Sequence, residues 1–593
     1  MTRRVYSRLA LAVVPFAAAW FAVSCGSSSS NSVFGVDGGR TGDGGSADSP
    51  KIPIFPGEAS STDGTPGYDD GPTAVFEPSG PVTDFPAPVF AGTAPPTSGT
   101  LFGPPGTGAA TGGPCLIEPE SDVLYPQNWL RPRFTWNPVG GQNLFELRLH
   151  VKNQLKDLIV YTSLTQWTMP LAMWNLLRKD SPTEPMTLTI TGGVYDGTTL
   201  TGEALGSSYP LGIAPVQATG AIVYWTTSAG TALKGFSIGD ESVEQVLIPG
   251  QVTETTTTCI GCHTSAPGGQ YVGFALSGAA GWPNAMANIE VDAGTVGAPP
   301  PFLGAGGSAA LARNNQGIST FSAAHWSTGD RRAIVAFNDQ TLTTASNVLN
   351  WIDVEAKTLA AATGVIARTG DPSSGGAPSW SHDGKTIAYV STNNFCDGRL
   401  GAGCDGTAYN SGPDPGSTAD IYTVPYAGGA GGKAVPLSGA SSPMVQEYYP
   451  VFSPDDDWIA FDSIPNDQNM YDQALAEVSV IPASGGTATR LEANDPPACS
   501  GKTSPGMTNS WPKWGPTALM GNGNTYYWLV FSSTRAPAGN PQLFITSVVQ
   551  TGSKIETHGS LYLWNQPATE NNHTPAWDTF AIPPVPPPPP PPK

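Results

Sequence analysis

Apolar and polar residues alternate in short runs through much of this chain. Between Cys115 and about Pro215 the runs are Arg133-Phe134-Thr135-Trp136, Phe145-Glu146-Leu147-Arg148-Leu149-His150-Val151, Leu158-Ile159-Val160-Tyr161 and Met186-Thr187-Leu188-Thr189-Ile190. A period of two sends every second side chain to one face, so each run predicts a half-buried strand. After Pro215 the alternation becomes a repeat. Pro378-Ser379-Trp380-Ser381-His382-Asp383-Gly384-Lys385-Thr386-Ile387-Ala388-Tyr389 aligns without a gap on Pro450-Val451-Phe452-Ser453-Pro454-Asp455-Asp456-Asp457-Trp458-Ile459-Ala460-Phe461. Shorter copies stand at Gly269-Gln270-Tyr271-Val272-Gly273-Phe274, at His325-Trp326-Ser327 before Val335-Ala336-Phe337, and at Pro512-Lys513-Trp514 before Leu529-Val530-Phe531. Each copy is a turn feeding an apolar strand. Second strands ending in Pro or Gly-Gly lie between the copies, as in Ile421–Pro425 and Val478–Pro482. One small antiparallel sheet per period is therefore predicted, and sheets that cannot bury their own faces are stabilised by radial packing.

The pattern Trp-Ser-x-Asp-Gly-x-x-Ile-Ala-Tyr resembles the repeat of TolB-type β-propellers over about residues 216–580, and its copies imply about six blades. A last fragment, Pro575-Ala576-Trp577-Asp578, repeats the motif start without its continuation. It predicts ring closure on the opening strand Ala221-Ile222-Val223-Tyr224-Trp225. The stretch Leu130-Arg131-Pro132-Arg133-Phe134-Thr135-Trp136 resembles the start of a fibronectin type III-like module. The expected fold class is all-β, a fibronectin type III-like β-sandwich over 115–215 followed by the propeller.

Composition sharpens the outline. Only 12% of the 593 residues are charged, the net charge is -20, and there are 71 Gly and 59 Pro. Such a chain suits short strands and turns rather than long helices. Phosphate binding needs clustered Lys and Arg, which are missing, so nucleic acid is not an expected partner. Arg3, Arg4 and Arg8 precede an uncharged apolar run, Leu9 to Val23, that is short for a membrane span, and then comes Ala22-Val23-Ser24-Cys25. Residues 1–24 read as a signal peptide, and the boundary resembles the lipobox of bacterial lipoproteins. That resemblance implies lipidation at Cys25, membrane anchoring in the cell envelope and, with Gly26 following, an outer-membrane destination facing the periplasm or the cell surface. Residues 25–114 are Ser-, Gly-, Pro- and Asp-rich and read as a disordered tether, and 581–593 as a stiff Pro-rich tail. Four further cysteines, Cys115, Cys396, Cys404 and Cys499, suit two disulfides in an exported protein. The short separation of Cys396 and Cys404 favours pairing those two.

Cys259-Ile260-Gly261-Cys262-His263 matches C-x-x-C-H, the attachment motif of c-type haem. Two intervening residues place both sulfurs along one haem edge, and the adjacent imidazole can reach the iron. The motif predicts haem c bound through Cys259 and Cys262, with His263 as proximal ligand and electron transfer to a redox partner as the role. Met286, Met507 and His573 are distal-ligand candidates, with His325 and His382 beside them. Rival readings are a Cys259–Cys262 disulfide, a zinc site lacking its further ligands, and a thioredoxin-like pair lacking its βαβ context.

Other motifs carry less. Gly235-Phe236-Ser237-Ile238-Gly239 fits G-x-S-x-G without the helix a hydrolase elbow requires. The Asp455-Asp456-Asp457 run sits in a repeat turn, which explains it better than calcium does. Trp326, Trp380, Phe452, Trp514 and Trp577 recur with the repeat and read as core. No catalytic residue is nominated. The alternative to electron transfer is a scaffold that binds an envelope protein or polysaccharide through one rim of the propeller.

Overall fold

The computed structural model describes residue 85 and residues 87–582, apart from 229, 254–256, 278–282, 293, 314–318, 338–347, 393–417, 467–472 and 537–538. Cys25, Cys396 and Cys404, with the signal and lipidation motifs, lie outside the described residues. Among those described, no helix is long and apolar enough to cross a membrane.

Two sheets form the N-terminal unit. The larger pairs Leu144–Val151 with Leu158–Thr162 and with Met186–Tyr195, and adds Tyr209–Ile213 and Leu200–Leu205. The smaller joins Cys115–Glu118, Arg133–Asn137 and Gln166–Thr168. Phe134, Trp136, Phe145, Leu147 and Ile190 are buried between them, as the period of two requires. The sandwich begins earlier than composition suggests. Val89–Ala91 adds a parallel edge strand against Leu158–Thr162, and the short helix Ser98–Phe102 packs beside it. Phe102 stacks on Tyr161 at 5.8 Å between ring centroids, and Phe90 lies tilted against the same ring at 5.5 Å. Main-chain bonds of Ala109 with Glu203 and Leu205 hold the following stretch to the same sheet, and the expected tether is shorter by residues 87–114.

Six blade sheets follow, with a two-stranded parallel pairing of Ala367–Thr369 and Gly431–Lys433 beside blades 3 and 4, and the leading strands of blades 3 to 6, together with the closing strand, touch in sequence. Blade 1 holds Ala221–Thr226, Ala232–Ser237 and Glu244–Leu247. Blade 2 holds Ile260–Ser265, Tyr271–Leu276 and Asn284–Asn288. Blade 3 holds Arg332–Phe337, Val348–Asp353 and Thr363–Val365. Blade 4 runs from Ser374–Trp380 through Thr386–Thr392 and Ala419–Pro425 to Val435–Pro436. Blade 5 runs from Val445–Phe452 through Trp458–Pro465 and Glu477–Pro482 to Thr489–Arg490. Blade 6 is built on Asn509–Trp514, Asn524–Ser533, Gln542–Thr551 and Lys554–Thr557. The C-terminal strand Asn572–Asp578 then pairs antiparallel with Ala221–Thr226 and supplies the inner strand of blade 1.

The repeated turn has one hydrogen-bond scheme. In blade 4 the Ser381 hydroxyl donates to Asp383 at 2.8 Å and accepts the Thr386 N–H at 3.0 Å. In blade 5 Ser453 donates to Asp455 at 2.6 Å and accepts the Trp458 N–H at 3.0 Å. Asp456 joins the two blades by accepting the main-chain N–H groups of His382 and Asp383, each at 2.8 Å. The proline that opens each copy has a physical role as well. The residue before it has positive φ at Ala377, Tyr449, Trp511 and Thr574, 39°, 51°, 59° and 39°. The strand register shifts there in all four blades. Such bulges bend an inner strand and re-aim its side chains, at a backbone cost of about 1–3 kcal/mol each.

Sandwich and propeller share one core, in which Trp129 approaches Trp577 with centroids 6.1 Å apart and Tyr526, Trp528 and Leu543 of blade 6 join Leu130 and Val123. Arg535, 3% exposed, pairs with Glu120, 8% exposed, at 2.7 Å. The guanidinium also donates to Ser560 at 2.8 Å and Asn509 at 2.7 Å and lies 4.9 Å from the Phe544 ring centroid. A disulfide joins Cys115 of the sandwich to Cys499, between blades 5 and 6. Replacing Arg535 with Met strands a buried carboxylate and is expected to cost about 3–5 kcal/mol in urea unfolding. Adding Glu120→Gln should recover most of that loss. Equal stability of Arg535→Met and wild type would show that the pair does not hold the junction.

Candidate functional site

The C-x-x-C-H segment enters the inner strand of blade 2, Ile260–Ser265, where a register shift between Gly261 and His263 sets Cys262 in a bulge. Cys262 is buried in the core between blades 1 and 2 with Val223, Trp225 and Phe274. Cys262 is disulfide-bonded, whereas Cys259 is a free, half-buried thiol. The two sulfurs therefore do not bond each other. Burial pushes the Cys259 thiol above its ordinary value. His263 is buried, and its Nε2–H donates to the Val223 carbonyl at 3.1 Å. Its Nδ1 has no protein partner. Burial holds the imidazole down at about 4, with the Lys513 charge adding to the depression, so the ring is neutral at ordinary pH.

These residues do not fit a covalent haem. A thioether at Cys262 needs the sulfur that the disulfide occupies, and iron ligation needs the imidazole that the blade 1 carbonyl holds. The distal candidates are dispersed. Met286 packs in the core between blades 2 and 3, a different cluster from that of Cys262. Met507 is buried ahead of blade 6, and His573 lies against Trp225 with ring centroids 5.7 Å apart. His325 is engaged by Asp330 at 2.8 Å, and His382 by Asp456 at 2.9 Å. The described residues hold no group of three His, Cys, Asp or Glu arranged for a metal ion. Asp455 is satisfied by Ser453, by the Asp457 N–H at 3.2 Å and by Tyr527 at 2.7 Å, in keeping with its turn role. Ser237 ends a strand and is followed by a turn at Gly239, whose φ is 90°.

The inner strands and the strands behind them do concentrate polar groups. Asp462 accepts from the Ser510 hydroxyl and the Trp511 N–H, while its Oδ1 has no protein partner. Burial pushes its carboxyl up to about 8 and the Lys513 ammonium down to about 8. Glu447, with one unpartnered oxygen, is likewise raised to about 8 by burial. At neutral pH the two buried carboxyls are therefore mostly protonated, while the Lys513 ammonium keeps most of its charge.

A second place is shaped for a ligand. A cleft of about 530 Å³ lies between blades 2 and 3, lined by Pro267, Gly268, Gln270, Tyr271, Pro301, Phe302, Trp326 and Arg331. Its rings meet edge to face: Tyr271 and Phe302 at 5.1 Å and 87°, Phe302 and Trp326 at 5.6 Å and 82°. Arg331 lies 4.3 Å from the Phe302 ring centroid and is held by Glu355. Trp326 was expected in the core with Trp380, Phe452, Trp514 and Trp577. Those four are buried, whereas Trp326 sits on the short helix Ala323–Ser327 and is partly exposed. The signal was present in the sequence. His325-Trp326-Ser327 is followed by Thr328-Gly329-Asp330 rather than by the Asp-Gly turn of the repeat, and nothing marked Phe302 or Arg331.

No family model and no curated protein matches this chain. Among solved structures, TolB from Acinetobacter baumannii overlays with a TM-score of 0.31 at 10% identity, over 66% of this chain and 79% of that one. The β-propeller domain of Cps50 (Swd1) from Myceliophteria thermophila gives 0.25 at 11% identity, over 58% and 89%. Hydrazine synthase from Kuenenia stuttgartiensis gives 0.35 at 10%, over 60% and 46%. The propeller assignment rests on the strand pairing above rather than on these partial overlays.

Produced alongside a haem-attachment pathway, the chain is expected to retain no haem on a denaturing gel, and alkylation of unreduced, denatured protein should mark Cys259 but not Cys262. A haem signal lost in both Cys259→Ala and Cys262→Ala would overturn that expectation. The buried His263 also gives a pH signature. Its folded value of about 4 lies below the unfolded 6.5, so its contribution to stability is complete above pH 6.5 and is lost as pH falls toward 4. That loss amounts to about 3 kcal/mol. It should appear as a fall in the stability difference between wild type and His263→Gln as pH drops across that range, a difference in which contributions of the buried acids cancel.

Proposed function

We propose that this protein is an envelope lipoprotein, anchored through Cys25, whose propeller acts as a binding scaffold and takes an extended, proline-rich segment of a partner protein in the cleft between blades 2 and 3. The single observation that carries this reading is the edge-to-face row Tyr271, Phe302 and Trp326 beside Gln270 and Arg331. Proline-rich segments lack main-chain N–H groups, so they cannot add to a sheet edge. They bind by laying rings on aromatic faces while their carbonyls accept hydrogen bonds. This cleft offers ridged aromatic faces together with an amide and a guanidinium as donors. A polysaccharide would also call for acceptors for its hydroxyl groups, and the carboxylate beside the cleft, Glu355, is taken by Arg331. Electron transfer is not retained, because the sulfur of Cys262 is already engaged.

The test is a titration of fluorescein-labelled decaproline, read by anisotropy, into the chain with Pro586–Pro592 replaced by Gly and Ser, so that no proline run of its own competes. Binding is expected, and Trp326→Ala should weaken it at least about tenfold. Undiminished binding to the Trp326→Ala variant, or no binding at all, would sink the reading.

A further inference from the structure

The same cleft lies beside the point where the chain's own C-terminal tail departs. After the closing strand Asn572–Asp578, the backbone crosses the first turn of blade 2, where the Ala581 N–H donates to the Gly269 carbonyl at 3.1 Å. The approach is so close that a Cβ at Gly269, whose φ is +74°, would stand 1.6 Å from the Thr579 carbonyl oxygen. Ile582 then packs on the core between blades 1 and 2, with its Cδ1 3.0 Å from where a Cβ of Gly235 would stand. The described chain therefore ends one residue beyond its bond to Gly269, with Ile582 turned to the blade 1 side, and the neighbours of Gly269, Gly268 and Gln270, line the cleft.

Eleven residues follow Ile582, Pro583-Pro584-Val585, then Pro586 to Pro592, then Lys593. A proline run spans about 3.1 Å per residue, so the tail reaches roughly 34 Å. That is ample to lie along a cleft whose lining residues adjoin its exit. Its chemistry selects the same site: with almost no N–H groups to offer a strand, it calls for aromatic faces and carbonyl-directed donors. The larger cavity of about 800 Å³ at the sandwich junction offers neither in quantity, being lined by Glu120, Asp122, Glu492 and Asp495 with Tyr209.

We propose that the proline-rich tail, residues 583–593, folds back and occupies the aromatic cleft of its own propeller, so that a partner's segment binds by displacing it. The inference rests on the reading of the cleft given above. A tethered segment acts at an effective concentration of the order of millimolar. A free ligand of the same chemistry should therefore bind the native chain at least about tenfold more weakly than the chain with the Gly-Ser tail.

The full chain tests this directly. With the photo-crosslinker p-benzoylphenylalanine in place of Val585, irradiation of dilute protein should give an intramolecular link to peptides carrying Tyr271, Phe302 or Trp326. Trp326→Ala should abolish that link while leaving the thermal transition in place. Links formed only elsewhere, or only between chains, would overturn the proposal. Because Trp326→Ala could disturb blade 3, decaproline affinity is compared in parallel for the native and Gly-Ser tails. Equal binding to both would leave the cleft as a proline-rich binding site and remove the tail from it, whereas no binding to either would remove both.

Discussion

The structure depends on main-chain pairing between its last strand and the opening strand of its propeller. A blade of three or four strands has two apolar faces and no means of covering either alone, so each blade is stabilised by its neighbours. Five of the six blades take their strands from one stretch of chain. Blade 1 does not, because its inner strand is Asn572–Asp578, more than three hundred residues beyond its partner Ala221–Thr226. Without that pairing, the cores on both sides of blade 1 would open to water. The sandwich lies over this seam, where Trp129 meets Trp577 and the common core runs into blade 6.

Much of this was legible in the residues. The gap-free match between the Pro378 and Pro450 copies is a match of turn chemistry: a serine hydroxyl, an aspartate two residues on, and a following N–H. The truncated copy at Pro575-Ala576-Trp577 indicates the closure for the same reason, since an inner strand without its successors must borrow them. Less legible was the role of proline itself. Its place in each copy is evident from the alignment, but the left-handed residue before it and the bulge it accompanies are backbone features that a proline alone does not imply, since it ordinarily sets the preceding residue to extended backbone. Composition also misplaced the start of the sandwich, because Phe90 and Phe102 are too few to register in a Gly- and Pro-rich stretch yet meet one tyrosine.

The candidate site was less accessible still, for two reasons. Local spacing cannot report the state of a sulfur whose bonding partner lies outside the motif, so C-x-x-C-H invited a haem although Cys262 is not bonded to Cys259 and His263 is turned to a carbonyl. The cleft is assembled from Tyr271, Phe302 and Trp326, each on a separate segment. Trp326 was grouped with the core aromatics by its position in a repeat copy, and only its seat on a short helix after blade 2 brings it to the rim.

The disulfide between Cys115 and Cys499 has a mechanical meaning. Cys115 opens the first antiparallel strand of the sandwich, so tension applied from the N-terminal side that peeled the edge strand Val89–Ala91, the helix Ser98–Phe102 and the bridge between Ala109 and Ala204 would then be stopped at Cys115. From there the load has a covalent route into the connection between blades 5 and 6. Neither the closing strand Asn572–Asp578 nor the cleft between blades 2 and 3 is part of that covalent link.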